Sequence, residues 1–209
     1  MISGRIGNVV GYLFRAIVWS FAKARIDPNV LTCIGFSINV VAAYFFAYGY
    51  FRRAAVTIFL AAIFDLTDGP VARTTKRVTP FGGFIDSVLD RYSDLILLIG
   101  LLIYYGRINR FWYVTLVAVA MIGSVMTSYT RARAENLIHS CKVGFLERPE
   151  RIVLILIGAI FDRMAPVLWV MVVFSHITVV HRILHTYKES RRLSGSHGSQ
   201  MTLESTVRT

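Results

Sequence analysis

Residues 54–105 read AAVTIFLAAIFDLTDGPVARTTKRVTPFGGFIDSVLDRYSDLILLIGLLIYY, and the fold turns on this stretch. It holds two apolar runs, 54–72 and 84–105, on either side of a short basic centre. Each run is close to the roughly 20 residues that a helix needs to cross ~30 Å of hydrocarbon. Five of the seven aspartates stand at the facing ends of the runs: Asp65, Asp68, Asp86, Asp90 and Asp94. Acidic groups inside a membrane span are expensive and are retained for function. A spacing of three in the first run and four in the second lines each set along one helical face. A short loop makes the two helices antiparallel, so the sets converge. Carboxylates that converge cannot all stay ionised unless a cation joins them. With oxygen donors only, and no His or Cys nearby, that cation is hard: Mg²⁺, Mn²⁺ or Ca²⁺. A purely structural reading pairs these aspartates with Arg73, Arg91 or Lys76, but five carboxylates outnumber the bases at that depth. Gly69 beside Asp68, and Gly82 one turn before Asp86, leave room for a phosphate or sugar to approach the backbone.

The rest of the chain agrees with a membrane setting. Of 209 residues, 55% are hydrophobic and 17% charged, with a mean hydropathy of +0.57. Soluble domains carry about 25% charged residues, and one of this size could not hide so much apolar surface. Fifteen Gly, 5 Pro and 2 Cys exclude collagen, disorder and a disulfide scaffold. Cys33 and Cys141 lack metal-type spacing and read as free thiols. Further apolar stretches lie at 30–50, 111–130, 152–168 and 166–187, the last two meeting at a turn marked by Asp162, Arg163 and Pro166. In residues 2–25 apolar positions alternate helically with Arg5, Arg15, Lys23 and Arg25, the pattern of a helix lying in the interface. The expected fold is an all-α integral membrane protein of six transmembrane helices preceded by an interfacial amphipathic helix. The boundaries are 1–27 for that helix, 28–189 for the six-helix domain and 190–209 for a polar, disordered tail.

Twenty-three basic against 12 acidic residues give a net charge of +11. Nucleic acid is not the implied partner, because the bases fall between apolar runs rather than along a solvated face. Eighteen of them assign to one side: the N-terminal segment, the 73–91 region, 131–151 and the tail. Five assign to the other: Arg52, Arg53, Arg107, Arg110 and Arg163. The positive-inside rule then puts both termini in the cytoplasm of a multi-pass cell-membrane protein.

The run Asp65–Asp90 fits D-x₂-D-G-x₂-A-R-x₈-G-x₃-D-x₃-D at every fixed position. This pattern resembles the signature of the CDP-alcohol phosphatidyltransferases, and the helical layout extends the resemblance over about residues 1–187. The resemblance implies that CDP-diacylglycerol gives its phosphatidyl group to an alcohol and that CMP leaves. It implies Mg²⁺, or Mn²⁺, held by Asp65, Asp68, Asp86 and Asp90, with Asp90 also the general base. Gly69, Ala72, Arg73, Thr79 and Gly82 would contact the nucleotide, as would the stretch opening the first span: Asn29, Val30, Leu31 and Thr32. Asp94 lies outside the signature and reads as a supporting or structural acid. The resemblance also implies a homodimer among membrane lipids.

For the acceptor, Arg131 in SYTRARAE, Arg148 and Arg151 in ERPER, and Arg182 gather near the same membrane face. Guanidinium forks match phosphate oxygens, which suits a small phosphorylated polyol. The competing role is topology-setting or headgroup contact. The stretch Ala132–Arg151 is similar to that of the prokaryotic phosphatidylinositol-phosphate synthases, implying inositol 1-phosphate. Glycerol 3-phosphate and free inositol are the alternatives within the reaction class. Two other classes stay open: a transporter, tested by solute counterflow, and a helical scaffold, for which Asp90→Asn would be silent. The carboxylates sit at one edge rather than the midplane, which favours an enzyme.

Overall fold

The computed structural model describes residues 2–24 and 26–207, with side chains at 11, 12, 15–24 and 26–192. Arg25 and Arg208, and the side chain of Arg5, all counted among the cytoplasmic charges, lie outside the described residues. The described residues form seven helices: α1 Ile2–Lys23, α2 Pro28–Ala47, α3 Phe51–Thr74, α4 Pro80–Arg107, α5 Phe111–Ala134, α6 Arg148–Ile160 and α7 Met164–Val207.

Helix starts and stops follow local chemistry. Asp27 caps α2 by accepting from the Asn29 N–H at 2.9 Å, with Pro28 in the first turn. Thr79 does the same for α4, accepting from Gly82 N–H at 3.0 Å ahead of Pro80. Such caps satisfy N–H groups that have no partner within the helix. Four helices end alike, on a residue at positive φ: Gly49 at 77°, Lys76 at 54°, Asn109 at 55° and Asp162 at 55°. The next residue then donates back across the turn, as in Arg77 N–H to Ala72 O (2.9 Å) and Arg163 N–H to Gly158 O (2.8 Å). This is the Schellman stop, and it makes each connection tight enough for antiparallel neighbours.

The turn expected at Asp162 and Arg163 is present, and it shortens the apolar run before it. The segment expected at 152–168 ends at Ile160 as α6, and α7 starts at Met164 with Pro166 in its first turn. The backbone of α7 continues through Val207. Extending a formed helix needs no new nucleus, and no proline interrupts residues 188–207.

Four helices are long and apolar enough to cross a membrane: α2, α3, α5 and the Met164–Arg192 part of α7. That is fewer than six. The other two candidates are α4, which carries Asp86, Asp90, Arg91 and Asp94 within its first 15 residues, and α6, which has 13 residues.

α2 packs on both α3 and α4, α4 on α5, α5 on α7, and α6 on α3 and α7. The main core gathers Phe46, Ile58, Leu97, Leu98, Leu101, Val117, Ile155, Leu168 and Met171. At Gly100 a side chain would run into the Ala43 backbone, so α4 and α2 touch main chain to main chain. Small residues at helix contacts are how apolar helices associate in lipid. Outward-facing Val56, Phe59, Ile99, Ile103, Ile122, Phe174 and Ile177 stay exposed, an apolar surface of the kind that lipid covers. α1 joins through Val18, which packs with Leu31 and Val71.

Candidate active site

α3 and α4, which both pack on α2, carry the five aspartates to one end of the bundle. Asp68 is buried and held on both oxygens: Thr32 Oγ1 donates to Oδ2 at 2.8 Å, and Gly69 N–H to Oδ1 at 2.5 Å. Asp65, one turn earlier, faces Gly35 of α2, where any Cβ would collide with its Oδ1. Asp86, Asp90 and Asp94 follow along one face of α4, with Asp94 the most deeply buried.

Two cavities flank this row. The smaller, about 240 Å³, is lined by Pro28, Asn29, Thr32, Asp68, Gly69, Ala72, Arg73, Arg77, Val78, Thr79, Gly82, Gly83 and Asp86. Seven of the nine expected nucleotide contacts therefore share one cavity. Val30 and Leu31 do not line it. Val30 points outward and Leu31 is fully buried against Val18 and Val71. The cause is helical spacing: Asn29 and Thr32 share a face of α2 that the residues between them leave.

The larger cavity, about 400 Å³, is lined by Ser87, Asp90, Arg91, Asp94, Thr127, Ser128, Arg131, Ala132, Glu135, Glu147, Arg148, Pro149, Arg151 and Arg182. All four expected acceptor arginines are here, and none is idle. Arg148 Nη2 donates to Asp65 Oδ2 at 2.7 Å and Nη1 pairs with Asp90 Oδ1 at 2.9 Å. Arg151 Nη2 and Nε both donate to Asp94 Oδ2, at 2.6 and 3.2 Å, and Ser124 Oγ donates to the same oxygen at 3.2 Å. Arg182 donates to Val143 O at 2.8 Å, Thr127 O at 2.6 Å and Glu147 Oε1 at 2.7 Å. Arg131 bonds Glu135 at 3.1 Å and Glu147 at 3.0 Å.

Two roles in this network were not read from sequence. Glu147, in the loop ahead of α6, joins Arg131 to Arg182. It stands in the quoted ERPER motif, where only the arginines were weighed. Asp94 is the buried counter-charge of Arg151. Its pairing was hidden because the partner lies 57 residues away.

The aspartate row suits a hard divalent cation in donor chemistry, since Asp65, Asp68, Asp86 and Asp90 offer only oxygens. Among the described residues no three acidic, His or Cys groups are drawn tightly enough to ligate an ion as they stand. A cationic group nevertheless sits between Asp65 and Asp90, the Arg148 guanidinium. The donor set already accepts positive charge there.

Comparisons with known proteins converge on this arrangement. The chain is 37% identical over 175 residues to the archaetidylinositol phosphate synthase of Pyrococcus horikoshii, covering 83% of this chain and 89% of the relative. The phosphatidylinositol phosphate synthase of Mycobacterium tuberculosis, solved with CDP-DAG bound, superposes with a TM-score of 0.78 at 28% identity, covering 84% of this chain and 94% of that one. The same enzyme in complex with manganese and citrate gives 0.73 at 30% identity over 83% and 88%. The family profile described as CDP-alcohol phosphatidyltransferase matches residues 25–184. A membrane-type helical bundle, a signature row of aspartates and a match across three quarters of its length lead to one conclusion: this chain belongs to the CDP-alcohol phosphatidyltransferase family.

Proposed function

We propose that the protein transfers the phosphatidyl group of CDP-diacylglycerol to inositol 1-phosphate, releasing CMP. The observation that carries the acceptor is the larger cavity, whose lining brings Arg131, Arg148, Arg151 and Arg182 together with Asp90. Such a concentration of guanidinium groups suits an anionic acceptor and is wasted on a neutral one. The P. horikoshii relative is named archaetidylinositol phosphate synthase and the M. tuberculosis one phosphatidylinositol phosphate synthase.

The donor's cytidine and diphosphate belong in the smaller cavity. There Arg73 supplies charge, and Gly69 and Gly82 let phosphate oxygens approach the main chain. A divalent cation held by Asp65, Asp68, Asp86 and Asp90, Mg²⁺ or Mn²⁺, would supply neutralisation of the diphosphate when bound. Thr32 fixes the Asp68 carboxylate, so that oxygen is oriented before any ligand arrives. Asp90 lines the larger cavity and takes the proton of the attacking hydroxyl.

The same reading extends to topology. α4 and α6 complete six crossings, with both termini cytoplasmic and α1 lying in the interface of the cell membrane. The support is packing: α4 lies between α2 and α5, and α6 against α3 and α7, so neither can leave the bundle. A homodimer is part of the proposal, and light scattering of the purified protein would report two copies.

The test is an acceptor panel. Purified protein and CDP-diacylglycerol are incubated in turn with inositol 1-phosphate, free inositol, glycerol 3-phosphate and serine, and the lipid product is identified. Phosphatidylinositol phosphate is expected. Phosphatidylglycerol phosphate or phosphatidylserine as the main product would replace the acceptor and keep the family chemistry.

A further inference from the structure

Away from the aspartate row, α5 and α7 pack on each other and carry the same short pattern. α5 has Tyr129 and Arg133, and α7 has Tyr187 and Arg191, each pair four residues apart on one helical face. All four line a further cavity of about 380 Å³, with exposed Leu137 and Ile183 beside them. Arg182 lines this cavity and the acceptor cavity, so the two share a wall. Each nitrogen of Arg182 is already bonded, to Val143 O, Thr127 O and Glu147, and the residue is 2% exposed. Arg133 and Arg191 are different. Both are exposed, and neither makes an ion pair among the described residues. Arg191 rests over the Tyr187 ring, 4.9 Å from its centroid. The acids nearest them in sequence, Glu135 and Glu189, are bonded to Arg131 and Arg192. No acidic residue lines the cavity, and Thr130 and Thr186 spend their hydroxyl hydrogens on Met126 O at 2.7 Å and Arg182 O at 2.8 Å.

We propose that this cavity binds a phospholipid with a net anionic headgroup, its phosphate between Arg133 and Arg191 and the top of an acyl chain along Ile183 and Leu137. The charges select the headgroup. Two guanidinium groups without acid partners match phosphate oxygens bidentately, and basic pockets between membrane helices hold anionic headgroups. The ammonium of a zwitterionic lipid would meet two cations and no carboxylate. The depth agrees as well. Tyr129 and Tyr187 are exposed, and tyrosine gathers at the boundary between hydrocarbon and water. Arg133 stands in the last turn of α5, and Arg191 lies past the roughly 20 residues that α7 needs to cross. Both heads therefore reach headgroup level. A free phosphate would leave Leu137 and Ile183 bare, whereas a lipid covers them. A second copy docked by the same face would set these arginines against their own counterparts, because a two-fold contact is self-complementary.

The full chain is placed in phosphatidylcholine nanodiscs doped with a phosphatidylglycerol that carries a diazirine at the top of one acyl chain. After illumination the labelled peptides are identified by mass spectrometry. Saturable label is expected on segments 129–137 and 183–191, suppressed by unlabelled phosphatidylglycerol and not by an equal amount of phosphatidylethanolamine. In Arg133→Gln/Arg191→Gln it should fall about 10-fold, because each basic group contributes a several-fold preference for anionic lipid. Arg52→Gln/Arg53→Gln removes the same charge at the other end of the bundle and should leave the label within about 2-fold of wild type. Saturating inositol 1-phosphate should not displace the label; displacement would place the lipid in the acceptor cavity and overturn the site. Absence of label on these segments overturns it, as does equal suppression by the two unlabelled lipids or full labelling of the folded Arg133→Gln/Arg191→Gln chain. If that variant loses self-association and keeps its label, the face covers a second copy and the lipid reading falls. Should it not fold, competition on the wild-type chain decides by itself.

Discussion

Gly35→Ala adds one methyl group to α2, far outside the signature, at the point where that helix meets Asp65. The added Cβ would lie inside 3.0 Å of Asp65 Oδ1, with Phe64 Cβ at 3.4 Å and Ala61 O at 3.6 Å on its other sides. The neighbours at 3.4–3.6 Å tolerate a methyl; the carboxylate does not. Its other oxygen is bonded to Arg148 at 2.7 Å, so it cannot simply rotate away. Asp65 must shift toward the cavity to restore ordinary contact, and a displacement of about 1 Å in a reacting assembly costs about 10²-fold in rate. Stability should move the other way or hardly at all, since Ala is favoured over Gly by about 1 kcal/mol inside a helix. The expected result is therefore a folded protein, melting within a few degrees of wild type, whose kcat/KM for CMP release falls 10- to 100-fold. Titration calorimetry with Mn²⁺ should show weaker binding. Wild-type turnover and unchanged Mn²⁺ affinity in Gly35→Ala would refute the placement of Asp65 among the working carboxylates. A large fall in melting temperature would show instead that tight α2–α3 packing governs the position.

Excess chelator should abolish CMP release and added Mg²⁺ or Mn²⁺ should restore it, because the aspartate row would otherwise repel a diphosphate; turnover in chelator would end the cation assignment. Asp65→Asn, Asp68→Asn and Asp86→Asn should lose cation and donor binding together, whereas Asp90→Asn should lose kcat while donor binding, followed by equilibrium dialysis of CDP-diacylglycerol in nanodiscs, survives better. Arg151→Met should lower the melting temperature sharply, since stripping one partner from a buried pair costs about 3–5 kcal/mol; the double variant Asp94→Asn/Arg151→Met should recover part of that loss, and no recovery would mean that the pair is not the cause. Arg131→Ala should raise the acceptor KM about 10-fold with a smaller change in donor KM, while Arg52→Ala and Arg110→Ala at the other end of the bundle change neither.

What the sequence made legible was periodic or contiguous. Asp65 and Asp68, and Asp86, Asp90 and Asp94, could be put on helical faces because their spacing is three and four. Helix starts came out late: the apolar runs were placed from 30 and 84, whereas Asp27 and Thr79 cap helices that begin at Pro28 and Pro80. Helix ends were harder. Lys76, Asn109 and Asp162 take the left-handed conformation that glycine usually supplies, so only Gly49 of the four stops carried the customary sign. The turn read at Asp162, Arg163 and Pro166 is there, between the end of α6 at Ile160 and the start of α7 at Met164, although the apolar run itself continues to 168.

The arginines mark the boundary between type and partner. Their chemistry and approximate side were readable, and all four that were singled out line one cavity. Their bonds were not readable, because Arg148 reaches Asp65 across 83 residues and Arg182 reaches Glu147 across 35. Those pairings exist because α6 packs on both α3 and α7. That packing brings the start of α6, and Arg148 with it, over the open edge of the aspartate row. A single helix start thus supplies a cationic group to the reacting carboxylates and a wall to the acceptor cavity. α4 is the common wall of both cavities: Asp86 faces the smaller and Asp90 the larger. Four residues, just over one helical turn, separate these two, about 6 Å of rise. Donor and acceptor held in the two cavities would therefore meet across one turn of α4, at the position that Arg148 now spans.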